Sequence, residues 1–178
     1  AWDDLLDSAK SFITVGDAYA AYPWMMEPAV VMYYDKNAFT EVGLDPESPP
    51  TTWDELVEYS KELTTADRFG MDIDTSYNMW SWTYTSNGDY MLTEDWSKAN
   101  INSQGMKDFA ELYKNIRAGE FASQTRLKEQ NVGVYAVLEG RSAISFSGSW
   151  GVGAINVDYP EKIDQIGVAA APTQDGSP

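Results

Sequence analysis

The amino-acid sequence predicts a layered α/β domain. Segments with the composition of β-strands alternate with segments of helical periodicity along most of the chain, an order typical of a sheet covered by helices. The chain has 178 residues, which is within the usual size of one domain, and it contains no internal repeat. A chain of this length buries enough surface to form a sizeable core without a disulfide or a structural metal.

The elements of the first half are predicted from helix caps, apolar spacing and turn residues. Thr52 can cap a helix, and Glu55 three residues later completes a capping box. Residues 29–34 (AVVMYY) have the β-branched and aromatic density of a buried strand, and Gly43 closes the helix that follows. In chain order, the predicted elements are a helix over 3–13, strands over 19–22 and 29–34, helices over 36–42 and 53–63, and a strand over 69–73.

The second half is predicted from the same signals. Ser103 can cap a helix whose apolar residues keep helical spacing as far as Gly119, and Gly140 closes the next helix. A glycine-containing turn over 147–149 follows one strand, and Pro172 stops the last strand. The predicted elements are helices over 77–86, 103–119, 131–139 and 150–157, and strands over 143–146 and 166–171.

The composition excludes much of catalytic chemistry. The chain has no cysteine and no histidine. It therefore has no thiolate nucleophile, no sulfur-ligated metal, no Ser-His-Asp triad and no histidine-ligated zinc or haem. We expect a non-catalytic protein that holds neither a cofactor nor a metal. One enzymatic alternative stays open, a glycan-active enzyme, because glycoside hydrolysis needs only a pair of carboxylates.

The charge balance narrows the set of partners. The chain carries 28 acidic and 12 basic residues, for a net charge of −16. Such a charge repels phosphate backbones, so we expect no nucleic-acid partner. No apolar run approaches the roughly 18–20 residues that span a bilayer. Because the chain begins at Ala1, without a signal peptide or a lipidation cysteine, we expect a mature chain or a piece of one.

Two short motifs resemble known sites but depart from them. Residues 148–151 (GSWG) resemble a nucleophile elbow, yet Ser147 stands where that pattern needs glycine and no histidine is present. Residues 72–76 (DIDTS) resemble the start of a calcium loop, yet the sixth position is Tyr77 rather than glycine. Helix capping is the better interpretation of the second motif.

Aromatic residues gather where predicted strands end. In open α/β sheets, ligands bind at the carboxyl ends of strands. A ring there presents a flat apolar face that suits the C–H face of a sugar, while carboxylates and amides bond the sugar hydroxyls. A buried structural role stays open for these rings, most of all for Trp82. The candidate ligand-binding residues are Trp24, Glu27, Tyr77, Trp80, Trp82, Gly148, Ser149 and Trp150.

Three passages resemble family 1 extracellular solute-binding proteins of bacterial sugar-type ABC importers, the maltose-binding-protein-like family. The first runs from Tyr22-Pro23 through Glu27 and Tyr34-Asp35-Lys36 to the segment PPTTW over 49–53. The second is VYAVLEGRSAISFSGSWGV, in which the matching positions are Gly140, Ala143, Gly148 and Trp150. The third is IGVAAAPTQDG near the end of the chain. Together these passages extend the resemblance over nearly the whole sequence.

The resemblance implies one lobe of a type II periplasmic-binding-protein-like two-lobe fold, with a mixed sheet flanked by helices. It assigns residues 1–26 to a hinge-proximal or first-lobe segment, 27–171 to the C-terminal ligand-binding lobe and 172–178 to a hinge-proximal tail. By position, Glu27 corresponds to a hinge carboxylate that accepts sugar hydroxyls, and Trp150 to a ring that stacks on a sugar. An aromatic residue of the segment 77–82 is expected to add a further contact.

The function implied by the resemblance is carbohydrate binding without chemistry. The expected partners are the sugar, the missing N-terminal lobe of the same chain and the permease subunits of an ABC importer. The expected location is outside the cytoplasmic membrane, as a cell-surface lipoprotein or in a periplasm. Two alternatives stay open: a solute-binding protein for a peptide or another non-sugar solute, and a structural module in which Trp150 is buried and inert.

Overall fold

The computed structural model of the chain describes residues 4–23, 30–73, 91–93, 95, 97–123 and 133–177. The helices of these residues are α1 (Asp7–Ile13), α2 (Lys36–Val42), α3 (Trp53–Glu62), α4 (Gln104–Ala118), α5 (Val134–Leu138) and α6 (Gly151–Asp158). The strands are β1 (Thr14–Val15), β2 (Ala18–Tyr19), β3 (Val31–Asp35), β4 (Phe69–Asp72), β5 (Ala122–Ser123), β6 (Ser142–Ser147) and β7 (Ile166–Ala170). A short 3₁₀ helix covers Pro160–Lys162.

The predicted capping box of α3 is confirmed. The Thr52 hydroxyl accepts a hydrogen bond from the Glu55 amide at 3.1 Å, and the Glu55 carboxylate accepts one from the Thr52 amide at 3.1 Å. Two of the amide groups that a helix start leaves unpaired are thereby satisfied. Ser103 caps α4 as predicted, and Gly43 ends α2 in the left-handed conformation that favours glycine, with a φ of 85°.

Among the described residues, the main sheet has five strands in the order β5-β4-β6-β3-β7. β4 runs parallel to β5 and to β6, whereas β3 runs antiparallel to both of its neighbours, β6 and β7. The sheet is therefore mixed, and the predicted α/β class is confirmed. Because β6 and β7 both oppose β3, the carboxyl ends of β4, β5, β6 and β7 lie at one edge of the sheet, where β3 begins. We call this edge the carboxyl edge.

Two apolar clusters cover opposite faces of the sheet at β3. Met32 and Tyr34 pack in a large cluster with buried residues of α2, α3 and α4. Tyr33, between them, packs in a second cluster with residues of α5 and α6. Successive strand residues point to opposite faces, so helices cover both faces of the sheet here. The contact between α3 and β4 is close, because a Cβ on Gly70 would lie 1.7 Å from the Ser60 carbonyl oxygen.

Several predicted boundaries differ from the structure. The strand predicted over 19–22 is wrong beyond Tyr19. The observed strand β2 ends at Tyr19 and pairs with β1 in a short hairpin, whose tight turn contains Gly16 with a φ of 61°. The helix predicted over 3–13 begins only at Asp7. The two-residue strands β1 and β5 were not predicted, since two residues are too few to show an alternating pattern. The helix predicted over 77–86 lies outside the described residues.

Candidate functional site

The candidate site lies at the carboxyl edge. Asp72, Ser123 and Ser147 end β4, β5 and β6 there, and Val31 pairs with Ser147 where β3 begins. The edge is also where the chain enters or leaves the segments 24–29, 74–90 and 124–132. Those segments lie outside the described residues. Of the predicted site residues, Trp24, Glu27, Tyr77, Trp80 and Trp82 therefore stay predictions, and the structure places Gly148, Ser149 and Trp150.

Trp150 lies immediately beyond the carboxyl end of β6 and precedes α6. Its side chain is 49% exposed, so the ring lies on the protein surface, half in contact with the protein and half in contact with solvent. One side of the indole is held against the turn, because a Cβ on Gly148 would lie 1.9 Å from Trp150 Cζ3. An indole that is half exposed beside a strand end can offer an apolar face to a ligand.

The turn that carries Trp150 is held by its own backbone. The amides of Gly151, Val152 and Gly153 donate to the carbonyls of residues 148, 149 and 150, at 3.0, 3.2 and 2.9 Å. The first amides of α6 are therefore used within the turn rather than left for an anion. Gly148 is buried, whereas Ser149 is only half-buried. Polar recognition at this turn can come from Ser149 and from backbone groups before α6.

Tyr33 contacts this turn from the interior of the sheet, a role that the sequence did not predict. Its hydroxyl donates to the Gly148 carbonyl at 2.8 Å, across 115 residues of sequence. A Cβ on Gly151 would lie 2.7 Å from Tyr33 Cζ, so the phenol ring also packs directly against the start of α6. Burial raises the pKa of the Tyr33 phenol, and the nearby Val152 amide offsets part of the rise. Tyr33 is therefore a neutral hydrogen-bond donor at physiological pH.

A row of buried polar residues crosses the sheet at the carboxyl edge, where β4 and β5 end and two residues before β6 ends. Ser123, Asp72 and Ser145 are paired across β5, β4 and β6, and Tyr33 of β3 pairs with Ser145. Asp72 is only 2% exposed, and the Ser145 hydroxyl has no hydrogen-bond partner. A buried hydroxyl without a partner is uncommon. Sequence reasoning noted Asp72 only as part of a motif and did not anticipate the row.

Neither a metal cluster nor a membrane helix is found in the part of the chain that the structure describes. No three acidic side chains of these residues come together in a way that could hold a metal ion. No helix among them combines the length and the apolar character needed to cross a bilayer.

Stretches of the chain are similar to curated periplasmic binding proteins. A stretch of 36 residues is 56% identical to the sn-glycerol-3-phosphate-binding periplasmic protein UgpB of Salmonella typhimurium, covering 20% of this chain and 8% of that protein. A stretch of 33 residues is 54% identical to UgpB of Escherichia coli strain K12, covering 18% of this chain and 8% of that protein. These similarities are local.

Similarity to solved structures extends over almost the whole chain. An ABC transporter solute-binding protein from Thermotoga lettingae, bound with α-D-tagatose, has a TM-score of 0.83 at 22% identity, over 99% of this chain and 46% of that one. The sugar-binding protein MalE of Xanthomonas citri has a TM-score of 0.80 at 19% identity, over 99% and 45%. The cyclic α-maltosyl-1,6-maltose binding protein of Arthrobacter globiformis has a TM-score of 0.77 at 27% identity, over 99% and 45%.

This chain therefore spans less than half of each of these solved proteins, and it has the fold of one of their lobes. The expectation of a periplasmic-binding-protein-like lobe is confirmed. A profile of bacterial extracellular solute-binding proteins matches residues 1–178. The chain belongs to the bacterial extracellular solute-binding protein family.

Proposed function

We propose that this chain forms the ligand-binding lobe of a carbohydrate-binding protein that serves an ABC importer and performs no chemistry. The observation that carries the proposal is the half-exposed indole of Trp150 at the carboxyl edge. Ligands of open α/β sheets bind at this edge, and a flat apolar ring matches the C–H face of a pyranose. The three solved relatives that bear sugars or sugar names in their descriptions support the same class of ligand.

The remaining contacts of the proposed site come from residues at the same edge. Glu27 precedes the described residue Val30 by three positions, and three residues of chain span at most about 10 Å. A carboxylate at that distance from the start of β3 can accept sugar hydroxyls. We further propose that Trp24 and one ring among Tyr77, Trp80 and Trp82 complete the aromatic surface, because both segments adjoin the carboxyl edge.

A phosphorylated polyol is the second candidate ligand, favoured by the local similarity to the glycerol-phosphate-binding UgpB proteins. A phosphate needs cations or unpaired helix amides. The first amides of α6 are used within the turn, and the segments 24–29 and 74–90 contain no basic residue. Of the three segments next to the carboxyl edge, 124–132 is the one whose sequence contains basic residues, Arg126 and Lys128. With a net charge of −16, the chain favours a neutral sugar.

The proposed organisation follows the two-lobe pattern. Residues 27–171 form the ligand-binding lobe, and residues 1–26 and 172–178 are hinge-proximal. In the described part of the first of these flanks, four large apolar side chains are exposed, namely Leu6, Val15, Tyr19 and Tyr22. Such exposure supports packing of that flank against a second lobe, which would close over the sugar. The closed form would then be delivered to the permease outside the cytoplasmic membrane, from a lipid anchor or within a periplasm.

A thermal-shift screen of the full-length protein tests this proposal. The panel contains monosaccharides, oligosaccharides, sn-glycerol 3-phosphate and short peptides. A ligand at 100 times its Kd stabilises the folded protein by about 2.7 kcal/mol, so a true ligand raises Tm clearly. We expect a rise with a sugar and no turnover of aryl glycosides. A rise only with glycerol 3-phosphate would favour the second candidate, a rise only with peptides would refute carbohydrate binding, and turnover would revive the enzymatic alternative.

A further inference from the structure

We propose that Tyr33 is a positioning residue that sets the orientation of the Trp150 indole at the carboxyl edge. The ligand-binding part of this inference rests on the proposed carbohydrate function, whereas the structural part does not. Tyr33 lies in the interior of the sheet and is not one of the proposed ligand contacts. Its effect on binding would pass through the turn that joins β6 to α6.

Tyr33 is held by its neighbours on several sides. It is fully buried in β3, where it pairs with Ser145 of β6 on one side and with Val168 of β7 on the other. Its ring belongs to the apolar cluster with buried residues of α5 and α6. A side chain fixed by two neighbouring strands and by packed helices has little freedom to move. Tyr33 can therefore hold the groups that it contacts in a constant position.

Tyr33 contacts the turn at both of its ends. The hydroxyl donates to the Gly148 carbonyl at 2.8 Å, and the ring lies so close to Gly151 that a Cβ there would be 2.7 Å from Tyr33 Cζ and from the hydroxyl oxygen. The indole also contacts Gly148, since a Cβ on Gly148 would be 1.9 Å from Trp150 Cζ3. The phenol and the indole thus both contact the turn at Gly148.

Because both side chains contact Gly148, we expect the orientation of the indole to depend on the phenol. The Gly148 carbonyl accepts a second hydrogen bond, from the Gly151 amide at 3.0 Å, so loss of the Tyr33 hydroxyl would not leave it unsatisfied. The cost to folding should accordingly be modest, whereas the turn loses a hydrogen bond that joins it to the interior of the sheet. The expected consequence is a change in the angle and mobility of the indole rather than loss of the fold.

Tyr34 provides a matched control. It is the next residue of β3 and points to the opposite face, and its hydroxyl also donates to a backbone carbonyl, that of Pro46, at 2.8 Å. Tyr34→Phe therefore removes the same kind of hydrogen bond from the same strand, away from the turn. A general loss of sheet stability would affect both variants, whereas a positioning effect is confined to Tyr33→Phe.

The test uses ¹⁹F NMR of the full-length protein labelled with 5-fluorotryptophan, in which the Trp150 resonance is assigned as the one lost in Trp150→Phe. We expect Tyr33→Phe to shift or broaden this resonance while the other tryptophan resonances keep their positions, and Tyr34→Phe to leave it unchanged. In the same samples, Tyr33→Phe should raise the Kd for the sugar about fivefold, the factor that corresponds to one hydrogen bond. Tyr34→Phe should leave the Kd unchanged.

The inference would be overturned if the Trp150 resonance does not move in Tyr33→Phe, or if it moves equally in Tyr34→Phe. It would also be overturned if the resonance moves in Tyr33→Phe while the Kd for the sugar stays unchanged. If the full-length protein binds no sugar, the proposed function fails, yet the resonance still decides whether Tyr33 orients the indole. Should Tyr33→Phe not fold, Gly151→Ala replaces it, because the added Cβ would clash with the Tyr33 phenol. That variant is expected to move the Trp150 resonance, and an unmoved resonance would again overturn the inference.

Discussion

The indole of Trp150 folds back over the α-carbon of Gly148, two residues earlier in the chain. A Cβ on Gly148 would lie 1.9 Å from Trp150 Cζ3 and 2.2 Å from Cε3, closer than any carbon contact allows. The ring therefore extends across the turn at the end of β6 and not along α6. The indole can take this orientation only because residue 148 has no side chain. Adding one methyl group at position 148 therefore tests whether the orientation matters.

Gly148→Ala should displace the Trp150 ring and weaken sugar binding by the full-length protein. The added methyl group and the indole cannot occupy the same space, and overpacking of this kind costs about 1–3 kcal/mol. Because the ring is half exposed, it can move outward, so most of the cost should appear in binding. We expect the Kd, measured by isothermal titration calorimetry, to rise about tenfold.

Gly153→Ala is the control for this variant. A Cβ added to Gly153 in α6 would point into open space. Alanine therefore fits there and should stabilise the helix by about 0.5–1 kcal/mol. Sugar affinity should not change. Equal affinities in Gly148→Ala and Gly153→Ala would show that the orientation of the indole over residue 148 has no part in binding.

Local signals in the sequence predicted the elements that have strong local causes. The capping box of Thr52 and Glu55 fixed the start of α3, and Gly43 fixed the end of α2, because both depend on residues that are neighbours in sequence. The order β5-β4-β6-β3-β7 was not predicted from such signals. Strand pairing joins residues far apart in the chain, and nothing in a single strand shows which strand will lie beside it.

Glu55 should make the stability of the protein depend on acidic pH. The backbone amides of Thr51 and Thr52 donate to its carboxylate, and these bonds hold the pKa of Glu55 below its ordinary value of 4.5. A lowered pKa in the folded state means that the stabilisation is present above about pH 4.5 and is lost as the pH falls through the lowered pKa. Glu55→Gln should therefore lower Tm at pH 7, and the difference from wild type should shrink below pH 4.

Scanning calorimetry between pH 7 and pH 3 measures this difference. Glu58→Gln, an exposed substitution on the same helix, is the control for the loss of one negative charge. The difference in unfolding free energy at pH 7 should not exceed about 1 kcal/mol, because the helix end is accessible to solvent. A Tm difference between wild type and Glu55→Gln that stays constant down to pH 3 would contradict the assigned cap.

The candidate site was predicted in part. Trp150 was placed at a strand end because a glycine turn follows a strand there, and the structure confirms that placement. Tyr33 was hidden inside an apolar strand, and its hydrogen-bond partner lies 115 residues away. Ser145 likewise looked like an ordinary strand residue. Tertiary contacts of this kind leave no trace in local composition, so only the folded chain reveals them.

Calorimetric titration of the full-length protein, with the sugar that raises Tm most, decides whether a carbohydrate binds on the Trp150 face. Trp150→Ala should weaken binding at least about tenfold, or about 1.4 kcal/mol, and should lower Tm by no more than about 4 °C, because half of the ring already lies in solvent. Val157→Ala, on the exposed side of the same helix, should change neither quantity. Unchanged affinity in Trp150→Ala, or a large fall in Tm, would contradict carbohydrate binding on this face and assign the ring a structural role.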